Sequence, residues 1–138
     1  LSARDVETMI EAGITRVLDL REAHEWSRDD RFGHDALAAL ARSGLERFAV
    51  PIVDTEIPTT ETLDRAWQIL SQRPTPGAVY VHCRAGVERT GTVLAAYLAR
   101  REGRTAEETL RQLDEARSGL HPLPHQIEAV RRWLGEKG

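Results

Sequence analysis

A cysteine and an arginine six positions apart, with a glycine between them and Thr-Gly behind them, have the side chains needed to handle a phosphate ester. The stretch runs Val81-His82-Cys83-Arg84-Ala85-Gly86-Val87-Glu88-Arg89-Thr90-Gly91. A thiol attacks phosphorus as the thiolate, and an unperturbed cysteine ionises only at about pH 8.5, so the site must favour the anion. A helix beginning just after the cysteine does so through the partial positive charge of its N-terminus. Successive backbone N–H groups over residues 84–89 can form a nest for an anion. Gly86 lets such a loop turn where a side chain would obstruct it. Arg89 offers a planar fork to two phosphoryl oxygens and stabilises the charge that develops on them. Thr90 places a hydroxyl at the start of the helix, within reach of the sulfur. Arg84, Ala85, Gly86, Val87, Glu88 and Arg89 are therefore the expected substrate-binding loop. Cys83, Arg89 and Thr90 are the expected catalytic groups.

Taken singly these residues say little. A lone cysteine at the end of a buried strand is more often a small core residue than a nucleophile, and a lone arginine has no meaning. The combination carries the signal because its flanks fit. Ala78–Val81 is a short, wholly apolar run, as in a strand buried on both faces. A helix is expected from about Thr90 to Arg101, closed by Gly103. The carboxyl end of a strand in an open α/β sheet is where such folds bind ligands.

The rest of the chain alternates helix and strand in the same way, which predicts one α/β domain with a mainly parallel central sheet flanked by helices. Ser2 can cap a first helix with the stripe Val6, Met9 and Ile10, ended by Gly13. Ile14–Leu20 reads as a strand, about Asp35–Arg42 as a helix, and Glu46–Val50 as a strand closed by Pro51. Leu63, Ala66, Trp67 and Leu70 keep helical spacing up to Pro74 and Pro76. Thr105 and Glu108 form a capping box for a helix ending near Gly119. The last helix starts around Pro124 and carries Ile127, Val130, Trp133 and Leu134. Trp67 and Trp133 lie on apolar stripes and are expected in the core.

Composition bounds the partners. The 138 residues carry a net charge of -3, which gives no reason to expect a nucleic-acid or anionic-membrane surface. No apolar run approaches the length of a membrane span. Cys83 is the one cysteine, so no internal disulfide can form, and a reducing, cytoplasmic setting with a monomeric chain is the simplest expectation. His121 and His125 have i, i+4 spacing, but Pro122 and Pro124 intervene. Neither a metal nor another cofactor is expected.

The segment His82–Gly91 resembles the HCxxGxxRTG signature of the protein-tyrosine and dual-specificity phosphatases. Weaker similarity extends along most of the chain, through GITRVLDLRE and VPIVDTEIP. The resemblance implies a dual-specificity-phosphatase-like catalytic domain over residues 1–138, of a family whose members usually carry one or two further strands before the region that Leu1 opens. It implies that Cys83 forms a phosphocysteine, that Arg89 binds the phosphoryl group and that Thr90 aids breakdown of the intermediate. His82 would then support the thiolate from behind the site. Members of this family use a loop aspartate to protonate the leaving oxygen, which speeds such reactions by orders of magnitude. Asp54 lies 29 residues before Cys83 in an Asp-x-x-x-Pro context and is favoured over its neighbour Glu56. Gln126 resembles a glutamine that positions the hydrolytic water in some members and only packs in others. Arg21, after a strand end, could touch the substrate at the rim, but a solvated charge is the favoured reading. Glu88 stands where Gly or Ser is common. Loop N–H groups point inward, so its side chain is expected outward at the rim, in water or beside Arg84.

The expected substrates are phosphotyrosine, phosphoserine or phosphothreonine proteins or small phosphoesters, with a phosphoinositide or nucleotide as the alternative. A sulfurtransferase or arsenate reductase also uses a cysteine in an anion loop. The single cysteine and the five-residue spacer to Arg89 count against both, and an intact Cys, Arg and Asp count against an inactive phosphate-binding module.

Overall fold

Val17 and Leu18 are adjacent on one strand, both fully buried, and they belong to different clusters of core residues. Neighbouring side chains on a strand point to opposite faces, so this strand is covered on both sides and lies at the centre of the fold. The computed structural model describes residues 3–28 (side chains through residue 25), 38, 40–72, 77–83 and 88–136. The expected contributions of Ser2, Pro74, Pro76 and Arg84–Val87 fall outside the described residues.

In chain order the elements are α1 (Ala3–Glu11), β1 (Ile14–Asp19), α2 (Ala23–Arg28), β2 (Glu46–Ala49), α3 (Thr60–Ser71), β3 (Ala78–His82), α4 (Glu88–Glu102), α5 (Ala106–Ala116) and α6 (Pro124–Trp133). The sheet has three strands in the order β2-β1-β3, both pairings parallel. The chain is thus a single α/β domain with a parallel sheet between helices. Leu18 packs with Leu20, Val50, Ile69, Leu70 and Val93 under α3 and α4. Val17 packs with Val6, Met9 and Leu40 under α1.

Most elements follow the sequence pattern. Thr59 caps α3 and Thr105 caps α5, each hydroxyl accepting the backbone N–H three residues on. Residues 38 and 40–43 are helical, in the latter part of the helix expected over 35–42. The helix α5 stops at Ala116, three residues short of the expected Gly119. The helix α2 was not expected, because six residues without an apolar stripe give no periodic signal. Trp67 and Trp133 are half-buried rather than core. Their rings lie 6.5 Å apart, with the Arg100 guanidinium 4.7 Å and 4.8 Å from the two ring centres.

The sheet positions the site through hydrogen bonds that continue past the strand ends. Leu20 N–H donates to the His82 carbonyl, Val50 N–H to Asp19 and Ile52 N–H to Leu20. Three segments, after β1, β2 and β3, are thereby brought side by side at the carboxyl edge of the sheet.

Candidate active site

Cys83 follows the last residue of β3 and is buried. The Thr90 hydroxyl, in the first turn of α4, donates a hydrogen bond to its sulfur over 3.1 Å. Strand and helix are held together here by the buried contact of Cys83 and Val93 with the sheet core.

Arg89 is 2 % exposed, so its charge needs partners. Glu25, which is also buried, supplies them. Its Oε2 accepts from Nη1 and its Oε1 from Nη2, each at 2.7 Å. Nη1 also donates to the Ile52 carbonyl at 3.1 Å. Both Nη1 hydrogens and one Nη2 hydrogen are then committed. A guanidinium has five N–H donors, so Nε and the second Nη2 hydrogen remain. Nε has no hydrogen-bond partner among the described residues and lies 3.7 Å from Asp54 Oδ1. Among the described residues the fork is thus held at its far end, and its side edge faces Asp54 without a hydrogen bond.

Glu25 was not singled out in the sequence. It reaches Arg89 because α2 begins like half of a capping box, its Oε2 also accepting the Glu22 N–H at 2.8 Å. The Arg89 hydrogen bonds hold the Glu25 carboxyl down to about 2, against the opposing effect of burial. Glu25 in turn raises Arg89 above its ordinary value.

Behind the cysteine lies a second buried ionic group. Asp19, at the end of β1, is fully buried and accepts from Arg47 at 2.7 Å and from the Arg21 N–H at 3.0 Å. The Arg21 guanidinium Nε is 3.6 Å from Asp19 and His82 Nε2 is 3.5 Å from it. Arg21 is therefore not the solvated rim charge expected: it is 4 % exposed, because Asp19 gives it a buried partner. Burial pushes His82 down to about 4, with Asp19 opposing and Arg21 reinforcing the shift. His82 stacks on Tyr80, ring centres 5.4 Å apart.

Asp54 sits on a tight turn, closed by Glu56 N–H donating to the Val53 carbonyl at 3.0 Å. Thr55, the third residue of that turn, has φ 65°. A positive φ at that position suits Gly or Asn, and a β-branched residue holds it at a cost of about 1–3 kcal/mol. Asp54 is mostly exposed and is the carboxylate of this turn within ion-pair distance of Arg89.

Three side chains hold the turn. Thr55 N–H donates to Glu88 Oε1 at 2.8 Å. His125 Nε2 meets the Thr55 carbonyl at 2.5 Å, and since a carbonyl only accepts, that nitrogen carries the proton. Gln126 Nε2 donates to the Glu56 carbonyl at 3.2 Å and to Glu88 Oε1 at 3.4 Å. Gln126 is fully buried, and its Oε1 accepts from Leu123 N–H and the Thr92 hydroxyl. Its amide is thus engaged with protein on both ends. Glu88 corrects the sequence reading. Its carboxylate is half-buried and turned onto the Asp54 turn rather than left in water, and the expected nearness to Arg84 lies outside the described residues.

Among the described residues no cluster of three or more His, Cys, Asp or Glu side chains could hold a metal ion. No helix among them is long and apolar enough to cross a membrane.

Comparison with known proteins gives consistent matches. A family described as "Polymorphic toxin system, DSP-PTPase phosphatase" matches residues 2–103. Human phosphatidylglycerophosphatase and protein-tyrosine phosphatase 1 is 32% identical over 134 residues, which cover 96% of this chain and 59% of that protein. The chain thus spans about three-fifths of that relative's length. Among solved structures, PTPMT1 in complex with PI(5)P is 26% identical with a TM-score of 0.73, covering 88% of this chain and 77% of that one. Tk-PTP in its active form superposes with a TM-score of 0.83 at 23% identity, covering 99% and 88%.

Proposed function

Because the chain belongs to the DSP-PTPase phosphatase family of polymorphic toxin systems, we propose that it hydrolyses phosphomonoesters through a covalent phosphocysteine at Cys83, without a metal. The observation that carries this reading is the state of Arg89. Glu25 takes the end of the guanidinium, and among the described residues Nε on the side edge has no hydrogen-bond partner, only Asp54 at 3.7 Å, one residue from the Thr90 whose hydroxyl touches the Cys83 sulfur.

The steps follow from the groups present. Two non-bridging phosphoryl oxygens lie on Arg89 Nε–H and Nη2–H, which stabilise the charge they gain. The Cys83 thiolate forms the S–P bond as the ester P–O bond breaks. Asp54, on its turn above Arg89, gives its proton to the leaving oxygen. Water then attacks phosphorus, Asp54 takes up a proton from it, and the S–P bond breaks to release phosphate. The Thr90 hydroxyl stabilises the departing thiolate in this second step.

The substrate we infer is a phosphorylated tyrosine, serine or threonine side chain. A lipid phosphomonoester is the second reading. It is favoured by the similarity to a relative named for phosphatidylglycerophosphate and to a structure holding PI(5)P. The test is hydrolysis of p-nitrophenyl phosphate in the presence of EDTA, with acid-quenched ³²P-labelled substrate to trap the intermediate. Label on Cys83 is expected, and none in Cys83→Ser, which should still bind orthovanadate. Turnover near the parent level in Cys83→Ser would exclude the mechanism. Phosphopeptide and phosphoinositide panels then separate the two substrate classes.

A further inference from the structure

Glu88 stands where the resemblance gives Gly or Ser, next to Arg89 at the start of α4. An acidic residue there is commonly just a favourable charge at a helix N-terminus, its carboxylate in water. Here the carboxylate is spent on the acid turn. It accepts the N–H of the peptide that joins Asp54 to Thr55, at 2.8 Å, across 33 positions of chain.

We propose that Glu88 is the positioning residue of the general acid, tying the Asp54 turn to the helix turn that carries Arg89 and Thr90. The proposal rests on the reading of Asp54 as the acid. Thr55 has its backbone N–H and C=O bound by side chains, those of Glu88 and His125, while φ at Thr55 is positive. The turn is thus held from outside in a conformation that its own sequence does not favour. Gln126, fully buried, braces both the turn and the Glu88 oxygen. The Asp54 carboxylate stands 3.7 Å from Arg89 Nε on this support. Placing a carboxylate near a bound phosphoryl dianion costs repulsion. A charge-assisted hydrogen bond to Thr55 offsets that cost by being stronger than a neutral one. Misplacing a catalytic group by about 1 Å can cost on the order of a hundredfold in rate, so a side chain that never touches substrate can still set the acid step.

The test compares phenyl phosphate, a poor leaving group, with 2,4-dinitrophenyl phosphate, a good one, in the full chain. Glu88→Ala is expected to lower kcat about tenfold or more on phenyl phosphate and under about threefold on the dinitrophenyl ester, and Glu88→Gln to restore most of the loss. Glu88→Asp keeps the charge at the start of α4 but shortens the reach. It should behave like Glu88→Ala, and it serves if the alanine variant does not fold. In an Asp54→Ala background, Glu88→Ala should change kcat by less than about twofold, because it acts through the group already removed. Equal losses on both esters, a full-sized effect in the Asp54→Ala background, or parental kcat in Glu88→Asp would each overturn the proposal while leaving the acid reading intact. An Asp54→Ala variant with no leaving-group dependence would overturn the acid reading itself, and this proposal with it.

Discussion

Glu25 and Arg89, 64 residues apart in the chain, meet end to end through two 2.7 Å hydrogen bonds in a region where neither is more than 3 % exposed. The pair fixes the guanidinium in place, so on the proposed function phosphate binding need not order it. Such preorganised charge is worth more than a mobile one.

Removing Glu25 should therefore harm both folding and phosphate binding. Glu25→Ala leaves a buried guanidinium without its counter-charge, a loss of about 3–5 kcal/mol in unfolding free energy. Glu25→Gln keeps one acceptor and should lose less stability while still weakening orthovanadate inhibition. Urea melts and inhibition curves on the two variants check this. Parental vanadate affinity in both would mean that Arg89 orients itself without Glu25.

Two buried groups make the fold acid-sensitive in the same direction. Glu25 titrates at about 2 in the folded chain against an ordinary 4.5, so its stabilisation is full above pH 4.5 and is lost as pH falls towards 2. His82 titrates at about 4 against 6.5. The unfolded chain takes up that proton below 6.5 while the folded one refuses it, so stability also falls from pH 6.5 to 4. The urea midpoint should decline steadily from pH 7 to 3. His82→Asn should flatten the upper part of that decline, and Glu25→Gln the lower. A midpoint that rises on acidification would contradict both assignments.

Thr90→Val removes the hydroxyl that donates to Cys83. A hydrogen bond to a charged group contributes about 1.5–3 kcal/mol. Breakdown of the phosphocysteine should therefore slow by about tenfold to a hundredfold. With p-nitrophenyl phosphate, a burst of one equivalent of p-nitrophenol should precede a slow steady state. A proportional fall in burst rate and steady-state rate would place the hydroxyl in the first step instead.

What the sequence made legible is what lies close together along it. Cys83, Arg89 and Thr90 sit in one strand–loop–helix segment, so their spacing carries their geometry. Val17 and Leu18 mark a strand through their residue types but not its central place: burial on both faces was expected of Ala78–Val81, where Ala78 is exposed and Val79–Val81 are only partly buried, and it belongs to β1 instead. Asp54 was singled out through the family resemblance, which gives meaning to its distance from Cys83 and to its Pro58 context. Glu25 was missed because its meaning is a pairing across 64 residues, and α2 that carries it is too short to show a period. Arg21 was misread because an arginine after a strand ordinarily points to water, whereas Asp19 and the strand ends bury it. For Glu88 the local rule gave a rim carboxylate in water or beside Arg84. It could not say that the Asp54 turn, folded back from 33 positions upstream, would be waiting there.

Gly91 adds a constraint set from behind the site. A Cβ there would stand 3.2 Å from both Pro122 Cδ and Cγ, tighter than ordinary van der Waals contact. The missing side chain lets the segment carrying Pro122 press against α4, and α6 with His125 and Gln126 begins just beyond it. Arg89, Thr90 and Gly91 thus face three different clients: the Glu25 carboxylate, the Cys83 sulfur and the ring of Pro122. Grafting the Cys-to-Gly stretch onto a foreign scaffold would transplant the second relationship and strand the other two. Its glycine would then be an empty concession, unless a partner for Pro122's surface travelled with it.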